Sequence, residues 1–192
     1  VRPSGLIAMS LEAKDELGWV RLTSGNDEII MVTKKGQALR IAEIAIRSMG
    51  RQAAGVAGIK LRDGDLLASM DVVDPSGQLL VVTEQGYGKR TNLSEYPPKG
   101  RATSGVATLD QKHLAKIGQI ASARVVQEDD EVTFISSGGI VLRLKVKDIT
   151  SSGRATRGFK VMDLGKDDMV ASVAKIASAD LKKVEKEAST GQ

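Results

Sequence analysis

A seven-residue pattern, G-R-x-x-x-G-[VF], occurs three times in this chain: Gly50-Arg51-Gln52-Ala53-Ala54-Gly55-Val56, Gly100-Arg101-Ala102-Thr103-Ser104-Gly105-Val106 and Gly153-Arg154-Ala155-Thr156-Arg157-Gly158-Phe159. The copies start 50 and 53 residues apart, and a second signature keeps the same phase. It is an x-Gly pair followed four residues later by arginine: Lys35-Gly36 with Arg40, Gln85-Gly86 with Arg90, and Gly138-Gly139 with Arg143. A fixed period near fifty restricts the chain to a modular array in which one supersecondary unit is copied and neighbours bury each other. Three units are complete. A fourth is half present, because Gly5-Leu6-Ile7-Ala8-Met9 lies 50 residues before Gly55 with no Gly-Arg ahead of it, so the array is expected to begin inside a repeat.

Within each unit the local signals are those of β structure. Glu28 to Thr33 and Gln37 to Ile41 flank Lys34-Lys35-Gly36, and two β-rich runs around a short loop ending in glycine predict a hairpin. Leu79 to Thr83 before Glu84-Gln85-Gly86, and Val132 to Ser136 before Ser137-Gly138-Gly139, repeat it. A further strand is expected at each G-V or G-F step, and a fourth at Leu66 to Val73, Ile117 to Val126 and Met169 to Ile176. Residues 5 to 11 read as the last strand of the truncated repeat, and Leu17 to Thr23, with Trp19, as a partly alternating run. Four short strands per fifty residues predict an all-β, propeller-like array of four-stranded blades. The expected boundaries are a partial repeat at 1–26, repeats at about 27–76, 77–129 and 130–177, and a flexible tail at 178–192. That tail has two large apolar residues and balanced charge, as expected of a frayed helix or a disordered end.

Charge is distributed by phase. The net charge is only +4, yet the three 24-residue windows starting at Gly36, Gly86 and Gly139 hold 13 Lys or Arg against 3 Asp or Glu. The remaining 120 residues hold 15 against 21. A basic stripe recurring at one phase of an array marks a path for a polyanion. On the outgoing strand of the third repeat, Leu142, Leu144 and Val146 alternate with Arg143, Lys145 and Lys147, which predicts a cationic outer face; protection of a sheet edge is the alternative use of those charges. The loops Ser48 to Arg51, Tyr96 to Arg101 (which carries Lys99) and Ser151 to Arg154 place small residues around an arginine, a combination that lets amide N–H groups and a guanidinium grip phosphate.

Catalytic chemistry has little to work with. With no cysteine there is no disulfide or thiolate metal site, and the only histidine, His113, has no partner for zinc or for a histidine-based triad. Gly86-Tyr87-Gly88-Lys89-Arg90-Thr91 lacks the spaced glycine of a nucleotide loop and has no Ser or Thr directly after the lysine. Glu128-Asp129-Asp130-Glu131 precedes a hairpin and reads as a solvated turn. No catalytic residue, cofactor, metal or small-molecule substrate is expected. Five aromatic residues in all argue against a single-strand binder that works by base stacking. No apolar run is long enough for a membrane helix, Val1-Arg2-Pro3-Ser4 is not a signal peptide, and a cytoplasmic location is expected.

The repeated signature, with Gly86-Tyr87-Gly88-Lys89-Arg90-Thr91 and Glu95-Tyr96-Pro97, resembles the C-terminal domain of bacterial DNA gyrase A from about Gly5 to Ala177. The resemblance implies a β-pinwheel, a propeller-shaped disc of six blades that exchange strands and wrap duplex DNA around a basic rim. It also implies that Arg40, Arg51, Lys89, Arg90, Arg101, Arg143, Arg154 and Arg157 lie near that rim, where Lys99, Lys145 and Lys147 join them as expected DNA contacts. The family's basic heptapeptide, Q-[RK]-R-G-G-[RK]-G, is absent, so the chain resembles the later blades of a longer domain. The implied parent is an ATP-dependent type II topoisomerase whose partners are double-stranded DNA, the rest of DNA gyrase A, and DNA gyrase B, with tyrosine-based cleavage outside this chain. The alternatives are the matching domain of topoisomerase IV and a propeller scaffold whose arginines bind acidic proteins.

Overall fold

The computed structural model describes residues 5–181. Eleven strands run in chain order: β1 (Glu28–Thr33), β2 (Gln37–Ala42), β3 (Leu67–Val72), β4 (Gln78–Thr83), β5 (Tyr87–Asn92), β6 (Val106–Ala107), β7 (Ile120–Val126), β8 (Glu131–Ser136), β9 (Val141–Lys145), β10 (Phe159–Lys160) and β11 (Val170–Ile176). They form three antiparallel sheets with the orders β3-β1-β2-β6, β10-β5-β4-β7 and β11-β8-β9. Each predicted hairpin is present, and Gly36, Gly86 and Gly139 close it at φ of +84°, +75° and +86°, a left-handed geometry in which a Cβ is costly.

The outer strand of each complete sheet comes from the following repeat. β6 follows Gly105 in repeat two, yet it pairs with β2 of repeat one through Gln37 opposite Ala107 and Ala38 opposite Val106. β10 follows Gly158 in repeat three and pairs with β5 of repeat two. Among the described residues the third sheet has three strands, and β9 has no partner beyond β8. Gly55-Val56, the corresponding step of repeat one, forms no strand, and neither do residues 5–11, contrary to expectation; the partly alternating run 17–23 forms none either. Those segments have no preceding hairpin within the chain to pair with, and an isolated extended segment cannot satisfy its backbone groups by itself. The fourth strand starts later than expected in repeat two, because Leu114–Ile117 forms a helical turn (α1) ended by Gly118 at φ +79°.

Sheets stack face to face and bury the alternate residues of each strand. Ile30, Val32 and Ala38 of the first sheet meet Leu79, Val81, Ala123 and Val125 of the second, with Leu93, Tyr96 and Leu109 from the connecting loops. Leu80, Val82 and Val126 of the second meet Val132, Phe134, Val170 and Val173 of the third. The middle sheet is thus covered on both faces, so its hairpin reads L-L-V-V, apolar without alternation. The far face of the first sheet carries Met31, Leu39 and Ile41, against which Ile59 and Met70 pack. Half-buried Trp19 lines a cleft with Leu61, Leu66 and Met70 on the same side. Residues Ser178 to Leu181 begin a helical turn, and the amide of Ser178 donates to Asp130 Oδ1. The rest of the expected tail, 182–192, lies outside the described residues.

Candidate nucleic-acid interface

The three G-R loops are joined end to end by one repeated set of bonds. The amide of Lys60 donates to Thr103 O at 3.0 Å, that of Asp110 to Thr156 O at 3.2 Å, and that of Ser10 to Ala53 O at 3.3 Å. All three acceptors occupy the same position of the G-R motif. The motif arginines add a second link: Arg101 Nη1 donates to Ala57 O at 3.2 Å and Arg154 Nη1 to Ala107 O at 2.7 Å, again at equivalent positions. Each loop therefore rests on the segment that leaves the loop before it. The result is a continuous succession of Gly-rich, arginine-bearing turns along the exchanged-strand edge of the sheets.

The expected contacts divide sharply by orientation. Arg51, Lys99, Lys145, Lys147 and Arg157 are exposed, and among the described residues their charged ends carry no hydrogen bond or ion pair. Arg101 is exposed and keeps donors free beside its one carbonyl bond. Arg143 is exposed too, paired with Glu131 across the β8–β9 hairpin.

Arg40, Lys89 and Arg90 are not placed as expected. Arg40 pairs with Glu28, and its Nη1 donates to Leu93 O at 3.0 Å, which bolts the first sheet to the loop after β5. Arg90 has a side chain only 7% exposed and is fully engaged. Its Nε donates to Ile149 O at 2.7 Å, its Nη1 to Gln78 Oε1 at 2.8 Å and Glu128 Oε1 at 3.0 Å, and its Nη2 to Lys147 O at 3.2 Å. The physical reason is the stacking of sheets: the face these residues share is covered by the next repeat, and a buried guanidinium must find acceptors there. Arg143 occupies the same position on the third sheet, where among the described residues no repeat covers it. Lys89 is completely buried, and its ammonium donates to Gly153 O at 2.8 Å, Arg154 O at 2.5 Å and Thr156 Oγ1 at 3.2 Å. Burial lowers its pKa to about 8, against the attraction of Glu95, while Arg154 pushes it further down.

Repeat alignment carries a signal for that burial. Positions equivalent to Lys89 are Leu39 and Leu142, both in apolar packing, so the lysine stands at a core phase.

Other groups are held for structure. Tyr96 is 1% exposed, its hydroxyl lies 2.5 Å from Thr108 Oγ1, and burial raises its pKa to about 12, which leaves the phenol no access to a substrate and no tendency to ionise. His113 lies 2.6 Å from Asp110 Oδ2 on a surface turn. Asp168 accepts from Ser137 Oγ and the amides of Gly138 and Met169, and side-chain and backbone hydrogen bonds to its carboxylate hold its pKa at about 2. Among the described residues no cluster of three or more His, Cys, Asp or Glu could hold a metal ion, and no helix is long and apolar enough to cross a membrane.

Comparison with known proteins matches this architecture. Residues 27–74, 77–127 and 130–177 each fit the family model described as DNA gyrase C-terminal domain, beta-propeller. The DNA gyrase A protein of Staphylococcus epidermidis is 39% identical over 184 residues, an alignment covering 94% of this chain and 20% of that protein. The chain thus spans about a fifth of the length of the curated relatives it matches. A solved C-terminal domain of DNA topoisomerase IV superposes with a TM-score of 0.86 at 29% identity over 95% of this chain and 57% of that one. A solved DNA gyrase A C-terminal domain does so at 0.83 and 31% identity, over 90% and 58%.

Proposed function

Because the chain belongs to the DNA gyrase C-terminal domain family of β-propellers, we propose that it binds duplex DNA without sequence preference and bends it along the edge where the G-R loops succeed one another. The observation that carries this reading is the repeated loop-to-loop bonding, from 10–53 through 60–103 to 110–156, which sets the G-R loops, with exposed Arg51 and Arg101, in regular succession. Lysine and arginine contacts of this kind act through counterion release and fix position without reading bases. Bending 20 to 30 base pairs through 40 to 90° costs about 1 to 6 kcal/mol, so contacts from several blades must hold the curve together.

In the longer protein, this wrapping serves as the non-catalytic part of a cytoplasmic, ATP-dependent DNA gyrase. It presents one DNA segment with a chosen crossing sign to the remainder of DNA gyrase A and to DNA gyrase B, which carry out cleavage and ATP turnover. A second reading, the corresponding module of topoisomerase IV, is favoured by the superposition on the solved domain of that enzyme. The parent enzyme separates the two, since a gyrase introduces negative supercoils into relaxed circles and a topoisomerase IV does not.

Duplex binding measured against salt tests the proposal. For the unmodified chain log K should fall linearly with log salt, by about 0.9 per phosphate engaged, with little dependence on DNA sequence. The triple variant Arg51→Ala, Lys99→Ala and Arg157→Ala should lower that slope by about 2.7 if each side chain meets one phosphate. A flat salt response, or acidic peptides binding more tightly than duplex, would favour the scaffold reading and end this one. Ligation of nicked circles in the presence of the chain should shift the linking-number distribution; an unshifted distribution would remove wrapping while leaving binding intact.

A further inference from the structure

The second and third G-R loops have the same covalent pattern and the same internal bond. Thr103 Oγ1 donates to Gly100 O at 3.0 Å, and Thr156 Oγ1 to Gly153 O at 2.9 Å. The residue at the Lys89 position differs: for the second loop it is the buried, apolar Leu39, and for the third the Lys89 ammonium bonded to the loop itself. We propose that Lys89 is a positioning residue that makes the Gly153–Gly158 loop a pre-formed phosphate cradle, so that this loop is the strongest single contact of the DNA track. The inference rests on the DNA-binding reading given above.

Three acceptors, the carbonyls of Gly153 and Arg154 and the Thr156 hydroxyl, converge on one ammonium, whose three protons they match one for one. Drawing those oxygens inward fixes the turn from below and leaves exposed Arg157 on the solvent side. A loop already in its bound geometry loses less entropy when an anion docks. The buried cation also adds positive potential under the turn, less screened than a charge at the surface would be. In the second loop, no cation performs either task, and the position equivalent to Arg157 is Ser104.

The charged groups facing Lys89 are Glu95, on the 3-10 turn after β5, and Arg154 on the loop itself. With a folded pKa near 8 against 10.5 for an exposed lysine, the protonated form is disfavoured in the fold. Stability therefore rises as pH passes from about 8 toward 10.5, because that penalty is relieved. Duplex affinity should move the other way, since the neutral amine has fewer protons to share and no charge.

The test measures binding of the full chain to a random-sequence 40-base-pair duplex between pH 7 and 9.5, alongside thermal melting. The unmodified chain should lose about tenfold in affinity across this range, the scale of one charge-assisted hydrogen-bond set. Lys89→Met should bind about tenfold more weakly at pH 7 and show no step. Lys89→Arg, which keeps its charge throughout, should show no step and serves if the methionine variant fails to fold. A steep salt slope without any pH step in the unmodified chain overturns the role of Lys89 and leaves the DNA reading standing. A flat salt slope at pH 7 overturns both. A pH step in melting alone, with affinity constant, would reduce Lys89 to a structural residue and likewise overturn the proposal.

Discussion

Gly105→Ala should lower the melting temperature of the chain by about 5 to 15 °C. Gly105 sits at φ +70°, and a Cβ there would fall well inside contact distance of the Ala38 carbonyl and 3.1 Å from Leu39 Cα. Both obstacles are backbone atoms, so no rotamer change relieves them. The left-handed conformation costs a residue bearing Cβ about 1 to 2 kcal/mol, and overpacking adds about 1 to 3. A domain of this size loses about 2 to 4 °C per kcal/mol. The substitution acts where β6 joins the sheet of the preceding repeat, so hydrogen exchange at the amides of β2 and β6 should accelerate before that of β4. Gly158→Ala, at φ +75° with its Cβ 2.8 Å from Gly88 O, should behave similarly. Gly100→Ala, with nothing within 4 Å, is the control. A melting point for Gly105→Ala within 1 °C of the parent chain would show that strand exchange contributes little to the fold.

The second large effect belongs to Arg90. Its replacement by alanine removes four hydrogen-bond partnerships and strands the carbonyls of Ile149 and Lys147 in the seam between the second and third sheets. Glu128 is 72% exposed and loses little, so the cost comes from buried acceptors left without a donor, about 1 to 3 kcal/mol, and Arg90→Lys should recover little, since an ammonium cannot span acceptors that a planar guanidinium reaches in several directions. Arg143→Ala, at the same repeat position with a side chain 52% exposed, should change stability by less than about 1 kcal/mol. Denaturant titration separates these cases. For DNA the ranking reverses: the folded fraction of Arg90→Ala should keep the salt slope of the parent chain. A drop in slope would place Arg90 on the DNA after all.

The contrast between Arg90 and Arg143 explains how far the chain could be read without coordinates. Hairpins were legible because their determinants are local, a glycine at positive φ between two β-rich runs. The basic phase of the repeat was legible because periodicity is a property of sequence. Which face of a strand meets solvent was not, because in a stack of sheets both faces are covered except at the end of the array. Arg40 alternates with apolar residues just as Arg143 does, Arg90 holds the same repeat position, and the next repeat turns Arg40 and Arg90 into structural bolts. Strand exchange was also hidden from the period itself, since G-V and G-F steps have the same spacing whichever sheet they join; only the family resemblance pointed to it. The burial of Lys89 could have been found by aligning the repeats, where leucine occupies its place in both neighbours.

Strand exchange also limits how such a protein can grow or shrink over evolutionary time. A deletion that removed β4 and β5 but spared β6 would leave β6 on β2 and β10 without a host. Recombination breakpoints that preserve every sheet must instead fall at equal phase in successive repeats, so that each inserted unit brings one borrowed strand and lends one. Gene duplication in steps of about fifty residues meets that requirement automatically, whereas the loss of any other length exposes a raw edge.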